Sequence, residues 1–369
     1  MSKAAELANL IGNINAGGGG VGRNLLINGA MNVAQRSSSV TGLGASSGYF
    51  GLDRWKTDFS STAGRVTLTQ DSSVPTGEGF FNSLKVACTT ADTSIAAGEQ
   101  FTIEQSIEAQ NLQTVSKGTS GAKPLTLSFY CKANANATYV VELYAQDVDR
   151  RISSLFSVTT DWTRVTVTFP ADTTGEIADD NGIGIKVGWW LHAGSNYSGG
   201  TLQTTWAAAA NNTRATGGDS FFDSTDRTFF LTGCQLEVGQ NATTFEHEPF
   251  DATFKKCTRY LQILQETDYA NIATCHGTAG ASSTRWYVPI ILPYGELRAN
   301  PTLSVSSAGH FRCTLQHSDS DTCSAVTIGY NNKQTPTLQV IAGSSVQGVI
   351  RMFGFNADAD ARLTFDAEL

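Results

Sequence analysis

The chain of 369 residues carries little charge and no basic excess. Lys and Arg number 25 against 33 Asp and Glu, charged residues make up 16%, and the formal net charge is −8. A polyanion is gripped by a field of Lys and Arg, so this composition argues against nucleic acid as a partner. No apolar run approaches the roughly 20 residues that cross a bilayer, and the N-terminus lacks a basic region followed by an apolar core. The expectation is a soluble chain with no membrane insertion and no secretory signal. Cysteine is sparse: Cys88, Cys131, Cys234, Cys257, Cys275, Cys313 and Cys323 are odd in number and show no C-x-x-C spacing. The first three lie in strand-like apolar runs, and all read as small core residues in a reducing cytoplasm. The five histidines form no H-x-x-x-H pair, which leaves zinc unsupported. No period of 20 to 50 residues recurs, which excludes a solenoid or propeller.

Cofactor and nucleophile patterns are also missing in any usable context. Gly17, Gly19 and Gly22 match the dinucleotide spacing, but they follow a helical stretch and open no βαβ unit. Ser46, within Gly44 to Gly48, has the spacing of a nucleophile elbow but sits in a Ser/Gly loop rather than a strand-turn-helix. No cofactor and no catalytic residue is expected.

What the chain does have is 36 glycines, abundant small polar residues and period-two alternation. "LTLSFYCKA" places Leu125, Leu127, Phe129 and Cys131 on one face, and "RVTVTFP" sends Val165, Val167 and Phe169 inward. "GIGIKVGWW" does the same with Ile183, Ile185, Val187 and Trp189, and "FLTGCQLEV" with Phe230, Thr232, Cys234, Leu236 and Val238. Each reads as a half-buried antiparallel strand, and many such strands joined by polar turns predict an all-β chain built on a jelly-roll β-sandwich.

Residues 1–22 read as an N-terminal arm. Leu7, Leu10, Ile11 and Ile14 recur at helical spacing, and Gly17 to Gly20 form a flexible joint. A helix this short is marginal alone, so its stripe requires a partner, either sister copies or a neighbouring protein. Residues 23–250 are assigned to the sandwich. Residues 251–268 form a connector, a second helix with Phe254, Cys257, Leu261 and Leu264 on one side, able to run into a strand near Tyr260. Residues 269–369 form a smaller β domain carrying "TRWYVPIIL", "PTLSVSS", "TLQVIA" and "ARLTFDAEL".

In order along the chain, "RNLLINGAMNVAQR", "FGLDRW", "NSLKVACTTA", "LTLSFYCKA" and "TGCQLEVGQNATTFEHEPFDATFKKCTRYLQ" closely resemble segments of tail-fibre-like, carbohydrate-binding-module-like structural proteins of tailed bacteriophages, particularly marine and cyanobacterial phages. The resemblance covers most of residues 1–262, and "VPIILPYGELRANPTLSV" and "DADARLTFDAEL" extend it towards the C-terminus. It implies a virion structural protein assembled in the host cytoplasm, usually homotrimeric, with a jelly-roll similar to carbohydrate-binding modules. Where such proteins often carry "CQRYY", this chain has Cys257, Thr258, Arg259, Tyr260 and Leu261, which removes the second Tyr.

Candidate sites follow from chemistry and from that resemblance together. Trp190, Tyr197 and Trp206 cluster around a Gly/Ser/Asn-rich loop, and Trp286 and Tyr287 lie further on; aromatic faces flanked by amides and hydroxyls suit sugar rings. Asp179, Asp180 and Asn181, and separately Asp358 and Asp360, are oxygen-rich turns that calcium could use, although turn chemistry alone accounts for both. Asp53 and Arg54 are expected as a surface pair beside a buried Trp55, and "EHE" at 246–248 as a solvated strand exit. The functional expectation is a trimeric, non-enzymatic tail-fibre or appendage protein, anchored to other virion proteins by the stripe and displaying β domains to host glycan. A capsid-attached fibre, a glycan-degrading tailspike and a secreted cellular sugar-binding protein are the alternatives.

Overall fold

Alternating apolar and polar residues make most of this chain into strands that cover a core on one side. The computed structural model describes residues 2–15, 22–266, 270–277, 285–316, 319–342 and 350–369. It divides into two compact units, residues 1–254 with Leu369, and residues 255–368.

The first unit opens with helix α1 (Lys3–Asn15), followed by β1 (Ser39–Leu43), β2 (Lys56–Ser60), β3 (Arg65–Asp71), β4 (Ser83–Thr90), β5 (Gln100–Glu108) and β6 (Leu125–Ala133). Then come β7 (Ala137–Ala145), β8 (Arg150–Val158), β9 (Thr163–Phe169), β10 (Ile183–Ala193), the short helix α2 (Ser195–Ser198), β11 (Ala207–Ala208) and β12 (Thr228–Val238). These strands form two six-stranded antiparallel sheets, in the orders β1-β3-β4-β12-β6-β9 and β11-β8-β7-β10-β5-β2. One core joins them, with Trp55, Phe101, Phe129, Tyr139, Trp189 and Phe229 among its largest buried side chains. The unit is a jelly-roll β-sandwich.

The parity of β12 differs from the simple alternation. Its register against β6 slips between Thr232 and Gln235, where Gly233 takes φ +60°. A bulge adds one residue and turns the side chains over. Phe229 and Leu231 therefore point into the core before the bulge, and Cys234, Leu236 and Val238 after it. Phe230, expected inside, instead lies under Lys85 and Lys132 at 5.3 and 4.7 Å from its ring centre.

The quoted "RNLLINGAMNVAQR" and "FGLDRW" segments close on each other. Asn28, at φ +58°, donates from Nδ2 to the carbonyls of Val33 and Asp53 at 2.9 and 3.0 Å, and its Oδ1 accepts the N–H groups of Asn32 and Val33. Trp55 Nε1 donates to the Asn28 carbonyl at 3.1 Å. Gly29 is obligatory, because a Cβ there would sit 2.1 Å from the Cys234 carbonyl oxygen. Asp53 and Arg54 are buried rather than a surface pair: Asp53 Oδ1 accepts from the Gln35 backbone at 2.9 Å, and Arg54 donates to the Ser106 carbonyl at 2.6 Å. The segments that carry the resemblance are thus structural latches.

The arm's stripe is divided. Leu7 and Ile11 are 57% and 49% exposed, whereas Leu10 is half-buried; Leu7 and Leu10 both line, with Arg23, Arg164 and Thr244, a cavity of about 330 Å³. The side chain of Ile14 lies outside the described residues.

Helix α3 (Phe250–Thr258) ends ten residues before the end of the expected connector, because Leu261 to Gln265 pair with the C-terminal strand. The second unit holds β13 (Leu261–Gln265), β14 (Asn271–Gly277), β15 (Arg285–Pro289), β16 (Thr302–Val305), β17 (Phe311–Gln316), β18 (Asp319–Tyr330), β19 (Thr337–Ala342), β20 (Ile350–Phe355) and β21 (Arg362–Asp366). A three-stranded sheet, β13-β21-β16, accompanies a closed barrel, β14-β15-β19-β18-β17-β20. Tyr260 is buried, and Leu261, in place of the second Tyr, begins β13 opposite Asp366.

Candidate functional site

One face of the second sandwich sheet covers the core, and the other is polar. Cross-strand pairing builds that polar face in rows: Lys56 lies opposite Glu104, Glu104 opposite Gly188, and Gly188 opposite Glu142. In the next rows Asp58, Thr102, Trp190 and Val140 stand side by side, as do Ser106, Lys186, Tyr144 and Arg151. A Cβ on Gly188 would meet nothing within 4 Å. The missing side chain therefore leaves a notch between Glu104 and Glu142, whose strands are two spacings, about 9–10 Å, apart. The resulting depression, about 130 Å³, is lined by Glu104, Glu142, Tyr144, Lys186, Trp190 and Arg214, among others.

Each carboxylate is neutralised where it stands. Glu142 accepts two 2.9 Å hydrogen bonds from Nε and Nη2 of Arg214 and one at 3.1 Å from Trp190 Nε1, with Arg151 Nε at 3.7 Å. This planar, bidentate pairing fixes both partners. Burial opposes the Arg214 charge, but the Glu142 carboxylate prevails and raises its pKa. Glu104 is met by Lys56 Nζ at 3.1 Å and Lys186 Nζ at 3.7 Å. Asp58 completes the row, bonded by Lys56 at 3.0 Å and by Gln100 Nε2 at 2.6 Å. Burial pushes the Asp58 pKa up, yet the Lys56 ammonium outweighs it and leaves it below the ordinary carboxylate value.

The loop after β10 supplies the rim. Arg214 and Ala215 both donate backbone N–H groups to the Tyr197 carbonyl, which ties Tyr197 on α2 to the Arg214 turn. The Arg214 guanidinium lies 4.4 Å from the Trp190 ring centre, and the Tyr197 and Trp190 rings are 5.3 Å apart. At the loop's base His192 Nε2 contacts Glu99 at 2.9 Å and Nδ1 contacts Ser220 Oγ at 2.8 Å. That spacing resembles a serine nucleophile with its base, but Ser220 Oγ also accepts the N–H of Phe222 and caps its turn.

The structure brings together Trp190 and Tyr197 and separates the other sequence candidates from them. Trp190 is 2% exposed, so it forms the floor beneath Arg214 rather than an open stacking face. Trp206 is elsewhere: its Nε1 bonds the Pro170 carbonyl at 2.8 Å, and Lys117 lies over its ring. Trp286 is fully buried in the barrel, donating to the Ala342 carbonyl, which makes it a core residue and not a sugar contact. Tyr287 is half-exposed on the barrel's outside. Asp180 Oδ1 is engaged by the Gly182 N–H at 2.8 Å, Asp358 Oδ1 by the Asp360 N–H at 2.9 Å, and Asp179 is exposed. Among the described residues no three His, Cys, Asp or Glu side chains gather as metal ligands. Of the "EHE" group, His247 is exposed, whereas Glu246 accepts the Gly22 and Asn24 N–H groups and pins the chain's entry.

The residues that sequence reasoning missed are Lys56, Glu104, Glu142, Lys186, Gly188 and Arg214. Parity contained the signal for two of them: with Trp189 inward, Lys186 and Gly188 must share the outer face of β10 with Trp190. Strand order, which puts β5 and β7 on either side, did not follow from local pattern.

No family model matches the sequence, and no curated protein matches it. Among solved structures, the chain is similar to an enzymatically active domain of Bacteriophage CBA120 tailspike protein 4, with a TM-score of 0.30 and 10% identity over 58% of this chain. The match spans only 21% of that tailspike structure. It is also similar to the carbohydrate-binding module TmCBM61 in complex with β-1,4-galactotriose, with a TM-score of 0.30 and 10% identity over 58% of this chain and 99% of that one. A family 11 carbohydrate-binding module from Clostridium thermocellum, in complex with a mixed-linked tetrasaccharide, gives a TM-score of 0.28 and 11% identity over 57% and 99% of the two chains.

Proposed function

We propose that this chain is a non-enzymatic structural protein of a tailed-phage virion, a trimeric tail-fibre or appendage component that presents the outer face of its second sandwich sheet to host-surface glycan. The observation that carries the glycan reading is the notch at Gly188, a shallow depression on a rigid sheet ringed by hydrogen-bonding groups already held in place. Sugar hydroxyls need fixed donors and acceptors, and groups ordered before binding cost less to order on binding. Lys186 and the Arg214 guanidinium supply donors, and the edges of Glu104 and Glu142 supply acceptors, with the Tyr144 hydroxyl already donating to Asp149 at 2.9 Å.

The non-enzymatic part rests on the same ion pairs. Glycoside hydrolysis needs one protonated carboxylic acid and one free carboxylate. Here Glu142 is clasped by Arg214 and Glu104 stands between two lysines, so both carboxylates are committed to cations rather than set apart as an acid and a nucleophile. The virion part rests on the ordered segments over most of residues 1–262, and the arm with exposed Leu7 and Ile11 is the surface through which the chain joins sister copies and its virion neighbour. Multiple copies would turn weak sugar contacts into adhesion.

The test is binding of the full chain to immobilised host envelope polysaccharide, compared with Lys186→Glu. Retention by the parent and loss by the variant is the expected result. Release of reducing ends overturns the non-enzymatic reading, and antibody labelling of particles separates tail from capsid.

A further inference from the structure

Along β15 the parity is strict. Trp286, Val288, Ile290 and Leu292 point into the barrel, each no more than 2% exposed, so Arg285, Tyr287, Pro289 and Ile291 point out. Ladder hydrogen bonds continue past the strand's end, from Ile290 to Pro336 and from Leu292 to Gln334, so this outer strip is backed by regular pairing. Tyr287 lies opposite Gln339, and Gln339 opposite Thr327 on β18, where Tyr330 also sits. The Tyr287 and Tyr330 ring centres are 5.9 Å apart with their planes at 34°, and Tyr330 is 66% exposed.

This pair of rings is held, not loose. Gln339 Nε2 donates to the Tyr287 hydroxyl at 3.1 Å, and a Cβ on Gly329 would lie 3.3 Å from the Tyr287 ring, so the ring rests on bare backbone. The Tyr287 hydroxyl proton and the Gln339 amide oxygen are left as a donor and an acceptor beside the two rings. Thr337 and Thr327 flank them on the Tyr330 side, and the exposed Arg285 lies next to Tyr287 on the same outer face, one pairing row further from Tyr330.

We infer that the Tyr287–Tyr330 face is a second glycan-binding site, in the barrel unit, which takes a neutral pyranose ring. Two phenol faces meeting at a shallow angle fit the C–H face of a sugar, and the Gln339 amide and Tyr287 hydroxyl meet its edge. The groups bordering the ring pair itself, Gln339, Thr337 and Thr327, are uncharged and suit a neutral hexose there, with Arg285 set one row beyond Tyr287. The site deepens the proposed glycan function and rests on it, but it uses none of the same residues.

The experiment is titration of the full chain against arrayed neutral oligosaccharides of glucose, galactose, mannose and N-acetylhexosamine, with the parent, Tyr330→Ala, Tyr330→Phe and Lys186→Glu. The expected result is about tenfold weaker binding of a neutral glycan by Tyr330→Ala, recovered by Tyr330→Phe, at an unchanged barrel melting temperature. Lys186→Glu should leave that glycan bound. If Tyr330→Ala keeps full affinity while Lys186→Glu loses it, the second site is wrong and the sandwich reading stands. If Lys186→Glu keeps full affinity while Tyr330→Ala loses it, the second site holds without the first. Binding of no neutral glycan by the parent overturns the inference, as does a change in oligomeric mass with Tyr330→Ala, which would make the strip a contact between copies.

Discussion

In the sandwich unit, charge is taken inside and matched. Lys117, 5% exposed, bonds Asp172 at 2.9 Å, Arg150 bonds the same carboxylate at 2.8 Å, and Glu142 is wrapped by Arg214, Arg151 and Trp190. The barrel unit fills its interior differently, with Trp286, Phe311 and Phe353 and the thiols of Cys275, Cys313 and Cys323. Cys275 and Cys313 stand 3.9 Å apart at sulfur, and contact with Cys313 together with burial pushes the Cys275 thiol well above its ordinary value. Both units are built on apolar cores and both bury charge, the barrel with Arg351 bonded to Asp321 at 2.6 Å, but the sandwich carries the more extensive polar network on the outer side of its second sheet. Their outer faces differ too: a preorganised notch of paired charges on one, and on the other an aromatic pair bordered by Gln339 and threonines, with Arg285 one row away.

The sharpest way to break that comparison is a pair of truncations followed by calorimetry. Glu142→Ala strands Arg214 without its carboxylate partner in a largely buried site, and removing one partner of such a pair costs about 3–5 kcal/mol. Trp286→Ala empties a packed core and costs a similar 3–5 kcal/mol by a cavity instead. Each change should lower the transition of its own unit and leave the other near the parent. A conservative Glu142→Gln, which keeps shape but loses charge, should still be costly in the sandwich, whereas Trp286→Phe should recover much of the barrel's loss. If Glu142→Gln is harmless, the network is not what organises the sandwich.

A smaller effect comes from pH. In Asp58 burial raises the pKa but Lys56 lowers it further, and in Asp172 burial is likewise outweighed by Arg150 and Lys117. A carboxylate with a folded-state pKa below its unfolded value of 3.8 adds stability that is complete above that value and is lost as pH falls through the folded pKa. The sandwich transition should accordingly hold steady from neutral pH to about 5 and decline below about 4. Melting curves recorded from pH 7 to 3 check this, and a sandwich transition that is flat down to pH 3 would contradict it.

How far the sequence could be read also divides along these lines. Period-two alternation revealed β6, β9, β10 and β15, because burial on one face leaves a local signature. It misplaced Phe230, since nothing local announces that Gly233 opens a bulge. It did not reveal β14, β17 or β20, whose "NIATCHG", "FRCTLQ" and "IRMFGF" mix polar residues into a barrel wall closed by distant partners. For the candidate site the aromatic residues drew attention, yet the notch is built by Glu104, Glu142 and Arg214, which come together only through sheet order and a loop that brings Arg214 to Glu142 across 72 residues of sequence. In the barrel, parity along β15 decides what the local pattern could not: of the candidates Trp286 and Tyr287, only Tyr287 faces out.

The smallest effect on stability, and the largest on assembly, is expected at the arm. Leu7 and Ile11 are exposed on α1, four residues apart on one side of the helix, while Leu10 turns towards Arg23 and Arg164. Although Leu7 also edges the cavity that Leu10 lines, such a short helix gains most of its stability from whatever covers its exposed side. Leu7→Asp with Ile11→Asp should leave both thermal transitions within about 0.5 kcal/mol of the parent, as surface changes usually do. If the stripe is buried between copies or in a virion socket, each new carboxylate must be desolvated there, at a cost of several kcal/mol. The purified variant should then lose trimer mass by light scattering or fall out of particles, whereas Leu10→Asp should disturb the chain's own packing against Arg23 and Arg164 first. A double variant that trimerises and enters particles normally would move the attachment surface off the arm, and the aromatic strip of the barrel would become the next surface to examine.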